Sequence, residues 1–147
     1  MHYNFIKLTL YLLLLNPICS QISSGNNPKS IQEGLTDDIP LVIMPSVDRD
    51  ALISEDEIEM AKDVPYRFGT PFDVHYNLDN SGIWEEVSEG RIWRFSIKSE
   101  NAYSINLLYD RFILPAGAEL FVYDKYMETV IGAFTHQNNK THETFST

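Results

Sequence analysis

The chain has 147 residues, 44% of them hydrophobic, with 21 Asp and Glu against 11 Lys and Arg for a formal net charge of −10. That balance excludes phosphate neutralisation by a basic patch, the main source of nucleic-acid affinity, so no nucleic-acid partner is expected. The length suffices for one domain with a core of its own and excludes a second globular domain.

Residues 1–20 carry Lys7 ahead of an apolar stretch from Leu8 to Leu15, then Pro17 and the small residues Cys19 and Ser20. This is the layout of a secretory signal peptide, with cleavage after Ser20 and Gln21 as the new amino terminus. Its apolar core of roughly ten residues falls short of the about 20 that span a bilayer. The expected location is therefore outside the cell or in the periplasm, with no membrane association after signal cleavage. A lipid anchor on Cys19 is disfavoured, because Asn16-Pro17-Ile18 lacks the small residue such processing needs. Cleavage removes the lone cysteine, so disulfides cannot staple the mature domain.

Residues 21–53 read as a leader and an extended segment. From Gln21 to Asp38 the chain is rich in Ser, Asn, Gly and Pro, with Ile22, Ile31 and Leu35 scattered without period, which predicts a flexible leader. The apolar run from Pro40 to Val47 contains Pro40 and Pro45 and suits an edge strand. Residues 54–64 form the one predicted helix: Ser54 and Glu57 have capping-box spacing, the acids of the first turn complement the helix dipole, and Pro65 ends it.

Residues 65–147 form the predicted β module. Phe72, Val74, Tyr76 and Leu78 alternate with polar residues, and Asn80-Ser81-Gly82 supplies a turn. Trp93, Phe95 and Ile97 alternate next, followed by Tyr103, Ile105, Leu107 and Tyr109. Two more strands, about Ala118 to Tyr123 and Thr129 to Phe134, flank a turn at Asp124 to Glu128. Short strands of period two with turns between them predict an all-β chain, an antiparallel sandwich of jelly-roll type with one short amino-terminal helix.

No catalytic, cofactor-binding or metal-binding residue is assigned, and no cofactor. Gly117, after Pro115-Ala116, fits a turn that needs positive φ. Trp84, Trp93, Phe95 and Phe121 are expected in the core, the rival being a carbohydrate-stacking platform. Asp48, Asp50 and Glu59 occupy positions one, three and twelve of a would-be calcium loop, but Leu52 and Ile53 stand where an oxygen ligand and a turn-making Gly belong. Glu55, Asp56, Glu57 and Glu59 read as a solvated helix face. His75, His136 and His142 lack further ligands for zinc and read as surface residues. Ser104 and Asn106 read as an outward polar row, since nothing activates the serine. Arg94, opposite in face to Trp93 and Phe95, is expected to make a surface ion pair of small value. The chain has no Gly-x-Ser-x-Gly elbow and no Gly-Asp-Ser-Gly segment, so it is not expected to be an enzyme by itself.

The order of several short segments carries a family resemblance. They are Gly82-Ile83-Trp84, Trp93-Arg94-Phe95-Ser96-Ile97, Ala102-Tyr103-Ser104-Ile105-Asn106-Leu107, Phe112-Ile113-Leu114-Pro115-Ala116-Gly117-Ala118-Glu119-Leu120-Phe121-Val122-Tyr123, and Gly132-Ala133-Phe134-Thr135 with Asn138-Asn139. With Tyr66-Arg67-Phe68-Gly69 upstream, they resemble the amino-terminal prodomain of secreted bacterial lysyl-endopeptidase-like serine proteases over about Pro65 to Asn139. The resemblance implies a non-catalytic module that precedes a trypsin-like protease domain in cis and assists its folding or masks it. The family pattern would continue into further strands beyond Thr147, so the module is expected to be incomplete, with an exposed final edge. Tyr103, Tyr109, Tyr123 and Tyr126 are the candidate interface anchors. The alternative is a stand-alone secreted sandwich that binds a glycan or a cell-surface protein. Asn139-Lys140-Thr141 matches an N-glycosylation acceptor, which a bacterial protein would carry by coincidence.

Overall fold

The computed structural model describes residues 22–60, 64–65 and 67–147. The signal peptide expected over 1–20, the end of the predicted helix at 61–63 and Tyr66 lie outside the described residues. Within them the chain is mainly β, with eight short strands and two α-helices. In chain order these are α1 (Lys29–Gln32), β1 (Leu41–Ile43), α2 (Arg49–Met60), β2 (Ile83–Val87), β3 (Gly90–Arg94), β4 (Ser96–Lys98), β5 (Leu108–Tyr109), β6 (Leu120–Tyr123), β7 (Val130–Phe134) and β8 (Phe145–Ser146), with a 3-10 turn at His136–Asn138. No helix among the described residues is long and apolar enough to cross a membrane.

The strands pair two by two. Three pairs are antiparallel: β2 with β3, placing Trp84 opposite Trp93; β5 with β8, placing Tyr109 opposite Phe145; and β6 with β7, placing Leu120 opposite Phe134. The fourth corrects a purely antiparallel expectation, because β1 runs parallel to β4 with Val42 opposite Ile97. A parallel pair needs a crossover too long for a hairpin, and residues 44–95 provide it. The chain divides into two compact units, residues 22–27 with Leu107–Thr147, and Pro28–Asn106.

In the first unit the core is a cluster of phenylalanines. Phe112 stacks on Phe145 at 4.2 Å between ring centroids, and Phe134 meets Phe145 edge-on at 5.0 Å. Such pairs add about 0.5–1.5 kcal/mol to what their buried area contributes. Asn138, only 1% exposed, accepts the Thr135 amide at 3.0 Å while the Thr135 hydroxyl accepts from Gln137, a capping box on the 3-10 turn. The Pro115–Gly117 turn forms as expected, with Gly117 at φ +88° and the Ala118 amide bonded to the Pro115 carbonyl at 3.1 Å. β8 was not anticipated, and it pairs with β5. The start of the leader is also tied down. The Gly25 amide and the Ser23 hydroxyl both donate to the Gly132 carbonyl.

In the second unit α2 starts six residues earlier than the capping box predicts. Asp48 is the cap, its Oδ1 accepting the Ala51 amide at 3.0 Å, and the Ser54 hydroxyl turns back to the Asp50 carbonyl at 2.9 Å. Asp caps as well as Ser, and an earlier nucleus gains one backbone bond for each residue added. The leader's next residues form α1, with Pro28 and Ser30 buried. Residues 71–77 form no strand and have no ladder partner, although their alternation predicts one, and residues 102–107 are irregular. The run from Trp93 to Ile97 breaks at Phe95, so its two halves belong to different pairs.

Candidate functional site

The Pro28–Asn106 unit holds an open depression of about 410 Å³, floored by Tyr76 and Phe95 and walled by Pro40 and Val42. Tyr76 lies 5.0 Å from Phe95, and behind the lining Phe95 lies 5.6 Å from Trp93. Both indoles are fixed by their N–H groups, Trp93 to the Ser81 carbonyl at 2.7 Å and Trp84 to the Leu78 carbonyl at 3.1 Å. That approach needs glycine at position 82. Its φ is +72°, and a Cβ there would fall 2.5 Å from the Arg94 carbonyl and 2.7 Å from the Trp93 ring.

The polar rim of the depression is occupied by its own turn. Asn77 Oδ1 accepts the amides of Asp79 and Asn80, at 2.9 and 3.0 Å. Asn80 Oδ1 accepts the Asn77 amide, its Nδ2 donates to the His75 carbonyl, and the Ser81 hydroxyl donates to the Asn77 carbonyl. These bonds make the turn rigid and leave few polar atoms aimed at a ligand. The surface suits apolar contact.

Two expectations about burial are corrected. Trp84 is 43% exposed, with the Arg91 guanidinium 4.1 Å above its ring, and Phe121 is half-buried. The buried aromatic core consists of Phe112, Phe134 and Phe145 instead. Arg94 is only 6% exposed, not a surface residue. Its Nε donates to Glu85 Oε2 at 2.5 Å, Nη2 makes an ion-pair contact with the same oxygen, and Nη1 donates to the Thr36 carbonyl at 2.6 Å. The face opposite Trp93 is thus covered by the leader.

The remaining candidates do not converge. Asp48 caps α2, and Asp50 and Glu59 lie nine residues apart along it, about 13 Å at the helical rise, too far to share one ion. Among the described residues no three His, Cys, Asp or Glu are grouped to hold a metal. His75 and His136 are exposed, and His142 Nδ1 is engaged by the Thr144 amide and hydroxyl. Ser104 and Asn106 are exposed on the irregular segment. The candidate anchors divide: Tyr109 and Tyr123 are half-buried, while Tyr103 is 89% and Tyr126 77% exposed. Tyr103 is held by Arg49, whose Nη1 donates to its hydroxyl at 2.7 Å and whose guanidinium lies 5.2 Å from the ring centre. Arg67 pairs with the buried Asp56 at 3.2 Å and with Glu55 at 3.1 Å.

Tyr126 sits in a turn organised by Asp124, whose carboxylate accepts the amides of Thr129 and Tyr126. The bond from Thr129 above all, then that from Tyr126, holds this carboxyl below its ordinary value. A lowered folded-state value means that the stabilisation is present above the unfolded pKa of about 3.9 and is lost as pH falls through the folded one. Urea midpoints between pH 5 and pH 2.5 are therefore expected to fall more for the wild type than for Asp124→Asn. Equal losses would show that the turn does not depend on this charge.

Arg94, Asn138 and Asn139 are named in the sequence motifs, but their structural roles were not read there: Arg94 was expected in a surface pair, and nothing local announced the bonds of Asn138 to Thr135 or of Asn139 to Leu114. No protein-family model and no solved structure matches the chain.

Proposed function

We propose that the chain is the non-catalytic amino-terminal prodomain of a secreted trypsin-like serine endopeptidase precursor, acting in cis by assisting the folding of the protease domain or masking it. One observation carries this reading. The buried apolar side chains among the described residues are Pro28, Phe112, Ala133, Phe134 and Phe145, whereas twenty large apolar side chains stay exposed. Phe68 is fully exposed and Leu108 is 83% exposed. Surface of that kind is available for a partner and needs no chemistry of its own. In this reading the β2–β3 and β6–β7 hairpins belong to a jelly-roll sandwich that works through contact, in the extracellular or periplasmic space.

The test is the coding sequence beyond the Thr147 codon, expected to encode His, Asp and a Gly-rich Ser segment in trypsin-like order. A stop codon there would leave no protease in cis and defeat the reading. In the full precursor, Tyr103→Ser with Tyr126→Ser is expected to lower the yield of active protease on refolding about tenfold, as loss of interface anchors does. An unchanged yield would remove these tyrosines from the interface. A stand-alone binding module is the second reading, favoured by the aromatic floor of Tyr76 and Phe95. It ranks lower for a glycan, because the rim's polar atoms already bond one another; specific retention of a sugar on a glycan array would reverse that order.

A further inference from the structure

The Asn139-Lys140-Thr141 acceptor motif has a place in the fold that its sequence does not announce. Asn139 Oδ1 accepts the Leu114 amide at 2.9 Å, and Asn139 Nδ2 donates to the Leu114 carbonyl at 2.9 Å. The side chain thus acts as a one-residue strand partner for Leu114, which packs against the phenylalanine core. Satisfying the N–H and C=O of one residue with a single amide requires the Nδ2 hydrogen on the same side as Oδ1.

Glycosyl transfer to this motif would form a bond from Nδ2 to the sugar C1. It would expel the lipid diphosphate of the donor with its bonding electron pair and release one Nδ2 hydrogen as a proton. The product is a secondary amide, which like a peptide prefers the trans form, with its substituent anti to Cβ and therefore beside Oδ1. That is where the hydrogen aimed at the Leu114 carbonyl lies in the folded chain. The sugar and the bond compete for one position.

We infer that N-glycosylation of Asn139 and the folded state of this unit exclude each other. A sugar can be added only while Asn139 is free of Leu114, and once added it leaves both backbone groups of Leu114 without the partner that the fold supplies. The exposed Thr141 completes a motif that folding closes.

The test is the full chain assembled by ligation at His136→Cys, an exposed position. It is made with plain Asn139, with N-acetylglucosaminyl-Asn139, and with the same sugar on the neighbouring exposed position through Gln137→Asn. Hydrogen exchange at the Leu114 amide is the readout. The plain and Gln137→Asn chains are expected to protect it, and the sugar on Asn139 to speed its exchange about tenfold or more. Equal protection with the sugar on Asn139 would overturn the inference. So would an unprotected Leu114 amide in the plain chain, or an equal loss with the sugar at position 137, which would make bulk the cause.

Discussion

Arg94→Met is expected to destabilise the Pro28–Asn106 unit by about 3 kcal/mol, at the lower end of the cost of breaking a buried ion pair. Arg94 is buried on the face away from Trp93, with its guanidinium shared between the Glu85 carboxylate and the Thr36 carbonyl. Methionine fills most of the volume, so the loss is electrostatic: Glu85, whose side chain is 27% exposed, keeps its charge without a counterion. The Thr36 carbonyl also loses its donor. Part of the Glu85 carboxylate can reach water, which places the effect at the lower end. The companion variant Arg94→Met with Glu85→Leu is expected to recover most of the loss, since an apolar pair of similar volume carries no stranded charge. Denaturant unfolding of both variants measures the two values. A single variant within about 0.5 kcal/mol of wild type would return Arg94 to the surface-pair class.

Local contacts were legible in the sequence, and distant ones were not. The β6–β7 hairpin follows from two strands on either side of the turn at Asp124 to Glu128, because each strand's partner is its sequence neighbour, whereas β2 was not anticipated. Phe72 to Leu78 alternates clearly, yet it has no ladder partner. Period two reports an extended chain with two unlike faces, and pairing is decided elsewhere. The β1–β4 and β5–β8 pairs join residues far apart in sequence, so no turn announces them. Arg94 shows the same limit from the other direction. Alternation correctly set it opposite Trp93 in facing, but only the path of the leader, which places Thr36 against it, turned an outward face into a buried one. Asp48 and Ser54 are equally good caps in isolation, and the choice between them depended on helix length. At the candidate site Phe95 was read with Trp84, Trp93 and Phe121, and Tyr76 apart from them as one of an alternating row, so their meeting was not legible. What was hidden is that Asn77, Asn80 and Ser81 spend their polar atoms on one another.

Phe145→Ala is expected to cost about 3–5 kcal/mol, the range for removing a buried phenylalanine, out of a total domain stability of about 5–15 kcal/mol. Phe145 touches every other ring of its cluster: it stacks on Phe112, meets Phe134 edge-on, and lies 6.1 Å from Tyr109. With so few buried apolar residues beside it, the site has little with which to collapse into the space left. The backbone bonds of β8 depend on the same side chain, because the reciprocal pair between Leu107 and Thr147, at 3.1 and 3.0 Å, holds a strand of only two residues. Tyr109 provides a second readout. Burial, opposed in part by a hydrogen bond from Thr147, raises its phenol above the ordinary value of 10.0. Its contribution to stability is therefore complete below the unfolded pKa and is lost as pH rises through the folded one. In Phe145→Ala the phenol is expected to ionise nearer its ordinary value, seen as an earlier rise of tyrosinate absorbance at high pH. Phe145→Leu keeps most of the volume and is expected to cost about 1.5 kcal/mol or less, with the Tyr109 titration unchanged. If Phe145→Ala leaves both stability and titration at wild-type values, the phenylalanine cluster is not the core of this unit.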